Sequence, residues 1–450
     1  MGRKRRRPTL RPHGAVARAD GRLADLDPDG AATRLRCTVN EGSDVDLLNL
    51  LRSRKPGYSL PQPFYNDAKI FAADLEAIFY RHWLFAAAAC ELREPGDFVT
   101  LTVGRSPILV LRDQHGELRG YFNTCRHRGA RIVDAARGTK MRSLTCPYHR
   151  WTYSLSGALS YAAYMPENFD KSGFSLGEVQ VRAVGGTVYV CLADDPPDIS
   201  AYADAVARQL APHRLDDAKV AAEIDLVEHA NWKLVMENSR ECYHCATGHR
   251  DLMRSLLDIY DFSDPANTRA ITAYWKAWDD AGLPSGMAEG PDFRANRLPL
   301  TNDAKSMTLD GWPAVNKPLG IGPADAYGSL RWVHYPSTFN HALDDYAVLI
   351  RILPLAPEET LVTTKFLVAR DAVEGVDYDI GRLTHVWNTT NAEDKALVER
   401  NQAGVNSLGY RPGPYSPALE AGIVKFVDWY CHKLQQHRLG RDQPQLALAG

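Results

Sequence analysis

The chain has 450 residues, with 53 lysines and arginines against 55 aspartates and glutamates, so its formal net charge at pH 7 is −2. This balance excludes a dedicated nucleic-acid-binding protein, which carries a marked basic excess. No apolar run approaches the roughly 18 residues that cross a bilayer. We therefore expect a cytoplasmic protein with no membrane segment. The eight cysteines are scattered and do not form the pattern of a secreted disulfide framework.

The first 200 residues fall into three segments. Residues 1–45 are rich in Arg, Asp, Ala and Gly without sustained periodicity, and are predicted to be disordered. Residues 46–84 form an N-terminal helical segment, because Phe71–Trp83 has apolar residues at helical spacing. Residues 85–200 are predicted to form a small all-β domain, in which glycine-containing turns separate short apolar or alternating runs. The predicted strands are Phe98–Val103, Pro107–Leu111, Leu118–Phe122 and Thr187–Leu192.

Residues 201–450 are predicted to form an α+β domain with a long helix late in the chain. That helix spans about Val376–Gln402, because no glycine or proline follows Gly381 in this segment. Long loops are expected over Asp279–Pro323, which is rich in Gly, Pro and Asn. The other expected elements are helices at Ala201–Leu210 and Trp232–Tyr243, and strands at Ala221–Val227, Ser329–Tyr335, Tyr346–Leu353 and Thr360–Val368.

A C-x-H…C-x-x-H pattern is made by Cys125, His127, Cys146 and His149. Each half follows a predicted strand, so a loop can present its ligands from a rigid scaffold. Two thiolates and two neutral imidazoles suit a 2Fe–2S cluster in which histidines replace two cysteines on one iron. They could also close a tetrahedral zinc site. Zinc fingers, however, usually place both cysteines in one half, whereas here each half contributes one cysteine and one histidine.

A second group of candidate ligands begins with His244 and His249, which stand five residues apart. Two histidines and one carboxylate on a single face of an iron leave positions open for oxygen and substrate. Either histidine alone would more often be an ordinary core or surface residue. The neighbouring Cys242 and Cys245 could be a redox dithiol or half a zinc site, but a buried structural pair is the favoured interpretation. The combination with the upstream cluster pattern favours iron.

The late helix offers the missing carboxylate. Asp394 interrupts an otherwise inward-facing stripe, where an unpaired carboxylate would be costly. It is therefore the predicted third ligand. Glu393 is the fallback, since it points about 100° away around the helix, towards Arg400. The stripe consists of Trp387, Asn391, Asp394, Val398 and Val405.

The flanks of both cluster loops resemble those of the Rieske family: Cys125-Arg-His-Arg-Gly129 and Cys146-Pro-Tyr-His-Arg-Trp151. From about Tyr58 to Tyr430 the chain resembles the large (alpha) subunit of Rieske non-heme iron oxygenases. The resemblance implies a 2Fe–2S cluster, a mononuclear Fe(II) and a helix-grip catalytic domain, in which an antiparallel sheet wraps a long helix. It also implies a homotrimer or dimer of trimers, with electrons from NAD(P)H through a separate reductase of flavin or ferredoxin type.

In this family an acidic residue three before the first histidine ligand bridges to a cluster histidine of the neighbouring subunit. That residue is Glu241 here, with His149 as its expected partner, although many members have aspartate at this place. The resemblance thus makes Glu241 a residue that couples the two metal sites, and no iron ligand. Asn238 and Tyr243 are candidates for residues just outside the iron ligands.

The segments ENSRECYHCATGH, TTNAEDKALVERNQAGVNS and Pro412-Gly-Pro-Tyr-Ser416 resemble the subgroup that oxidises quaternary ammonium compounds. This implies O2-dependent hydroxylation or N-demethylation of a betaine, choline or carnitine. The aromatic residues Tyr274, Trp275 and Trp278 either line the substrate pocket or pack within a loop. The alternatives are an aromatic ring-hydroxylating dioxygenase alpha subunit, a pure Rieske electron carrier and a structural zinc protein.

Overall fold

A computed structural model describes residues 42–257, 264–301, 303–321 and 327–442. Residues 1–41 of the segment predicted to be disordered lie outside the described residues. Helix α1 (Gly42–Ser53) begins within the last four residues of that segment, so the prediction of disorder is wrong there. Helices α2 (Pro63–Asn66) and α3 (Ala68–Asp74) follow, and a π-helix over Leu75–Phe79 continues α3. The helix predicted over Phe71–Trp83 therefore ends four residues early.

The all-β part begins directly after this helical segment, and all four of its predicted strands are confirmed. Its strands are β1 (Leu84–Ala88), β2 (Phe98–Val103), β3 (Ser106–Arg112), β4 (Leu118–Phe122), β5 (Arg137–Gly138), β6 (Leu144–Thr145), β7 (Thr152–Tyr153), β8 (Leu159–Tyr161), β9 (Glu178–Val184) and β10 (Thr187–Cys191). Within the described residues they form an antiparallel sheet in the order β1-β10-β9-β4-β3-β2-β5 and a small sheet β6-β7-β8. The small sheet carries one of the cysteine–histidine loops between β6 and β7.

The remaining residues form an α+β domain around a second antiparallel sheet, with strand order β11-β17-β16-β15-β14-β13-β12. The strands are β11 (Ala218–Glu228), β12 (Ala288–Glu289), β13 (Phe293–Leu298), β14 (Ser329–His334), β15 (Thr338–Ala342), β16 (Ala347–Ala356) and β17 (Glu359–Ala369). The helices are α4 (Ser200–Leu210), α5 (Trp232–Asn238), α6 (Cys245–Gly248), α7 (Pro265–Asp280), α8 (Ile380–Val405) and α9 (Ala421–Asp442). None of the described helices is long and apolar enough to cross a bilayer.

The predicted long helix is confirmed as α8, and it lies across the face of this sheet. Asn391 Nδ2 donates to Thr364 Oγ1 on β17 at 2.9 Å, and Lys395 Nζ donates to the Val227 carbonyl on β11 at 2.8 Å. Trp387, nearer the start of α8, packs against His341 on β15 with ring centroids 4.7 Å apart. The predicted inward stripe of α8 thus faces the sheet, as the helix-grip fold requires.

Two local predictions are wrong in this domain, and three elements were not predicted. The helix predicted over Trp232–Tyr243 ends at Asn238. Beyond that point, the Glu241 carboxylate accepts from the backbone N–H of Tyr243, and such a local bond competes with continuation of a helix. The segment Asp279–Pro323, predicted as loops, contains the end of α7 together with β12 and β13. Strand β15 and helices α7 and α9 have no counterpart in the prediction.

Candidate metal centres and the adjoining cavities

The two cysteine–histidine loops have the same backbone design. The Gly129 N–H donates to the Cys125 carbonyl at 2.9 Å, and the Arg150 N–H donates to the Cys146 carbonyl at 3.1 Å. Both donors have positive φ, +77° for Gly129 and +57° for Arg150. Each loop therefore folds back on its cysteine through one left-handed residue, which is uncommon for an arginine.

The four side chains divide into a buried and a solvent-facing pair. Cys125 and Cys146 are buried at 3% and 1% exposure, and no disulfide joins them. Tyr153 Oη lies 3.2 Å from Cys125 Sγ. The rings of His127 and His149 lie 4.7 Å apart on the outer side, and His127 stacks on Trp151 at 4.8 Å. Sulfurs inside and imidazoles outside match the asymmetric donor set of a Rieske cluster.

The protonation of Cys146 also fits such a cluster. Burial raises the pKa of its thiol, even though the N–H groups of Tyr148 and His149 point at the sulfur. A buried thiolate therefore needs a cation beside it. Iron held by Cys125 and Cys146 would supply that positive charge, and the N–H donors would stabilise the Cys146 thiolate.

The second centre brings together atoms of His244, His249 and Asp394. The two histidine Nε2 atoms lie 2.9 Å apart. Asp394 Oδ1 lies 3.2 Å from His244 Nε2 and 3.0 Å from His249 Nε2. His244 precedes α6, His249 follows it, and Asp394 reaches them from α8. Two imidazole nitrogens and one carboxylate oxygen thus converge on a single point.

Carboxylates hold the outer nitrogens of both rings. Glu241 Oε1 contacts His244 Nδ1, and Glu393 Oε2 lies 2.9 Å from His249 Nδ1. The expectation that Glu393 points towards Arg400 is therefore wrong, because its side chain turns to the histidine instead. Carboxylates at Nδ1 keep the protons there and leave the Nε2 lone pairs directed inward.

These contacts test whether a metal ion fits. Burial lowers the pKa of His244, but the carboxylates of Asp394 and Glu241 outweigh it and raise that pKa to about 9. The metal-free cluster therefore retains a proton near neutral pH. Asp394 Oδ1 is buried without a hydrogen bond of acceptable geometry. A divalent cation at the meeting point would replace the proton and satisfy all three atoms, so the donor set fits Fe(II).

The cysteines between these histidines do not contribute a thiolate. The Cys245 sulfur lies within 4.8 Å of a nitrogen from each histidine, but Cys242 and Cys245 are joined in a disulfide. Both are buried, at 8% and 4% exposure. Their buried placement matches the favoured structural role.

A cavity beside the three converging atoms runs along the face of the sheet under α8. Glu228, which lies near Asp394, and Arg331 on β14 are among its polar lining residues. Its apolar and aromatic lining residues include Leu252, Met307, Phe339, His341, Ile350 and Trp387. An apolar cleft with a few polar groups is the usual form of a small-molecule site.

Of the other residues proposed to lie near the iron or the substrate, only some line this cavity. Asn238 lines this cavity, whereas Tyr243 is 61% exposed and does not. The aromatic residues Tyr274, Trp275 and Trp278 lie on α7 and not in a pocket loop. Trp278 is buried in a small apolar cluster, and Trp275 Nε1 donates to the Arg297 carbonyl at 2.8 Å. The packing alternative is therefore the right one for these aromatics.

Sequence reasoning missed Glu228 and Arg331, and gave Glu393 the wrong role. Glu228 ends β11, where a buried carboxylate interrupts the strand's pattern, so it offered a weak signal. Arg331 offered none, because its place in the cavity depends on the pairing of distant strands.

Comparison with known proteins agrees with both centres. Residues 82–204 match the Rieske [2Fe-2S] domain, and residues 215–436 match the ring hydroxylating alpha subunit (catalytic domain). The glycine betaine monooxygenase oxygenase subunit of Chromohalobacter salexigens is 44% identical over 89% of this chain and 91% of its own length. The Pseudomonas aeruginosa PAO1 protein of the same name is 42% identical over 86% and 91%.

A solved structure shares the fold. The quaternary ammonium Rieske monooxygenase CntA superposes with a TM-score of 0.67 at 23% identity, covering 86% of this chain and 98% of that one. Together, the two matched domains and the long similarity at 44% identity show that this chain is an oxidoreductase of the Rieske non-heme iron oxygenase family, in which it is an alpha subunit.

Proposed function

We propose that this chain is the oxygenase component of a multicomponent monooxygenase that hydroxylates an N-methyl group of a quaternary ammonium compound, such as a betaine. The observation that carries the proposal is the convergence of His244, His249 and Asp394 beside a cavity with Trp387 and Phe339 in its wall. Aromatic faces attract a quaternary ammonium group, which has no hydrogen to donate. The names of the relatives at 44% and 42% identity support the same substrate class.

In this proposal Cys125, His127, Cys146 and His149 hold the cluster, and His244, His249 and Asp394 hold the iron. Once bound, the cluster supplies single electrons, and the iron supplies dioxygen activation and insertion of one oxygen atom into a C–H bond. The protein's own part is to fix the donor atoms, exclude water and orient the substrate. Glu393 and Glu241 do the first of these by holding the two ring tautomers.

Glu241 has a second role in this proposal. Its carboxylate contacts His244 from the side away from Asp394 and also lines an open cleft with Tyr410, Tyr415 and Glu237. His149 is partly exposed at the tip of its loop. We infer that a neighbouring copy places its His149 at this cleft, in a homotrimer or dimer of trimers. A separate NAD(P)H-dependent reductase would then deliver electrons to the cluster.

The product identifies the reaction. Hydroxylation of an N-methyl group gives an N-hydroxymethyl compound, whose C–N bond breaks to release formaldehyde and a tertiary amine. The test is a panel of betaines, choline, carnitine and aromatic hydrocarbons, assayed with a surrogate reductase for oxygen uptake and formaldehyde. Formaldehyde formed in proportion to oxygen with a quaternary ammonium substrate is the expected result. Cis-diol products from the aromatic substrates alone would instead establish a ring-hydroxylating dioxygenase.

A further inference from the structure

A second cavity adjoins the metal cavity. Ser239, Arg331 and Phe339 line both cavities, so the two cavities meet at these three side chains. The second cavity is unusually basic. Its other lining residues with charged or amide side chains are Arg240, Arg294, Asn296, Glu289 and Lys425.

The register of the sheet explains why these residues meet. Asn296 on β13 pairs with Arg331 on β14, and Arg331 pairs with His341 on β15. Residues two apart in a strand share a face, so Arg294 lies on the same face as Asn296, and Phe339 on the same face as His341. Arg240 reaches this face from the loop after α5, with its guanidinium 5.3 Å from the Phe339 ring centre.

The cavity holds more positive than negative charge. Glu289 is its one carboxylate among the described lining residues, and it is paired with Lys425. Burial, together with the positive charges of Arg331 and Arg294, lowers the pKa of Arg240 to about 10. Three guanidinium groups around one cavity repel each other, and an anion between them would relieve that cost.

Buried donors in this cavity also lack acceptors. Within the part of the chain that the structure describes, the donors Arg240 Nε, Arg240 Nη1 and Asn296 Nδ2 are buried without a hydrogen-bond partner. Arg240 Nη2 donates to Ser239 Oγ at 3.0 Å. Asn296 is 1% exposed. Leaving such groups unpaired is costly, whereas a carboxylate oxygen could accept from several of them at once.

We propose that Arg331, Arg240 and Asn296 bind the carboxylate of a zwitterionic substrate, whose quaternary ammonium group then faces His244, His249 and Asp394. The proposal rests on the proposed function and narrows its substrate class to betaines. The orientation follows from the basic residues. Arg331 lines both cavities, so a zwitterion whose carboxylate is held there has its quaternary ammonium group in the metal cavity, with its N-methyl groups directed at the metal centre.

Two variants and three probes test this inference on the metal-loaded enzyme. Arg331→Gln removes a guanidinium, and Asn296→Asp places a negative charge in the cavity without changing its size. The probes are glycine betaine, choline, which has no carboxylate, and 3,3-dimethylbutyrate, which has the shape of glycine betaine without its positive charge. Arg182→Gln, at an exposed position on β9, is the matched control. The visible spectrum of the cluster and the iron content report folding.

Both variants should raise the Kd of 3,3-dimethylbutyrate, measured by calorimetry, and the KM of glycine betaine by about 30-fold or more, since a charge-assisted bond is lost. Choline has no carboxylate for these residues to bind, so its KM should change less than about threefold. Arg182→Gln should change neither the Kd of 3,3-dimethylbutyrate nor the KM of glycine betaine. Arg331→Lys should recover part of the loss, because it restores the charge without the planar fork.

Equal losses for choline and glycine betaine would overturn the proposal, as would unchanged binding of 3,3-dimethylbutyrate in both variants. Acetate that binds the wild type without competing with glycine betaine would show a separate anion site, and would overturn the assignment to substrate. The calorimetric arm is independent of turnover. If the wild type oxidises no quaternary ammonium compound, the proposed function fails, while variant-sensitive binding of 3,3-dimethylbutyrate still supports the carboxylate site.

Discussion

Removing the Glu393 carboxylate tests whether the second centre binds a metal through His249. The His249 ring is 1% exposed, and Glu393 is the group that contacts its Nδ1. In Glu393→Ala the imidazole proton is free to move to Nε2, where it would point at Asp394 and oppose metal binding. The variant should therefore bind Fe(II) more weakly while the Rieske cluster remains intact.

The structure sets the size of the effect. Loss of an outer carboxylate from a metal-bound histidine commonly costs about 10- to 100-fold in metal affinity. The Glu393 side chain is 34% exposed, so solvent screens part of its charge and the lower end of that range applies. We expect about a tenfold weaker Kd, or about 1.4 kcal/mol. Glu393→Gln retains an acceptor at the same place without the charge, so its loss should be smaller.

The assay removes the mononuclear iron with a chelator and titrates Fe(II) back under anaerobic conditions, with recovered turnover as the readout. Glu399→Gln is the control, because this carboxylate lies on the same helix but contacts Lys395 and the His229 backbone instead. Wild-type Fe(II) affinity in Glu393→Ala would refute the reasoning. So would an equal loss in the Glu399 control, which would point to a general effect of charge on α8.

Four further variants probe other parts of the protein. His244→Ala should abolish turnover with the cluster absorption unchanged, and bleaching of the cluster would show that the sites are misassigned. Glu241→Ala also loses the carboxylate at His244 Nδ1 and should bind Fe(II) more weakly, but with excess Fe(II) and both metals bound it should stop oxidation of the cluster in a single-turnover experiment; normal cluster oxidation would contradict the bridge. Burial raises the pKa of Glu237 to about 7, so its ionisation destabilises the fold as pH rises through that value. Glu237→Gln should accordingly gain up to roughly 3 kcal/mol relative to wild type at pH 8 and little at pH 5, as measured by thermal melting. Gly157→Ala should lower the melting temperature, because Gly157 has φ of +82° and a Cβ there would lie 2.5 Å from Tyr121 Cε1; the expected cost is roughly 2 kcal/mol, and an unchanged melting temperature would contradict it.

Local spacing was enough to predict the parts of the protein that depend on neighbouring residues. The cysteine and histidine pairs stand within three residues of each other, so a single loop presents each pair whatever the rest of the fold does. The stripe on α8 likewise follows from helical geometry, which places Asp394 on the inner face with Trp387 and Val398. The strands of the all-β part were predictable because short apolar or alternating runs, such as Thr187–Leu192 and Phe98–Val103, are bounded by glycine-containing turns.

Tertiary structure decided what lies between distant elements. The α5 helix ends at Asn238 because Glu241 bonds to the following backbone, a choice that helix propensity alone does not reveal. Glu393 turns to His249 because α8 and the loop after α6 pack together. The basic cavity exists because the strand register sets Asn296 beside Arg331, which stands 35 positions later in the sequence. No local pattern records that pairing, since register is set by the sheet as a whole.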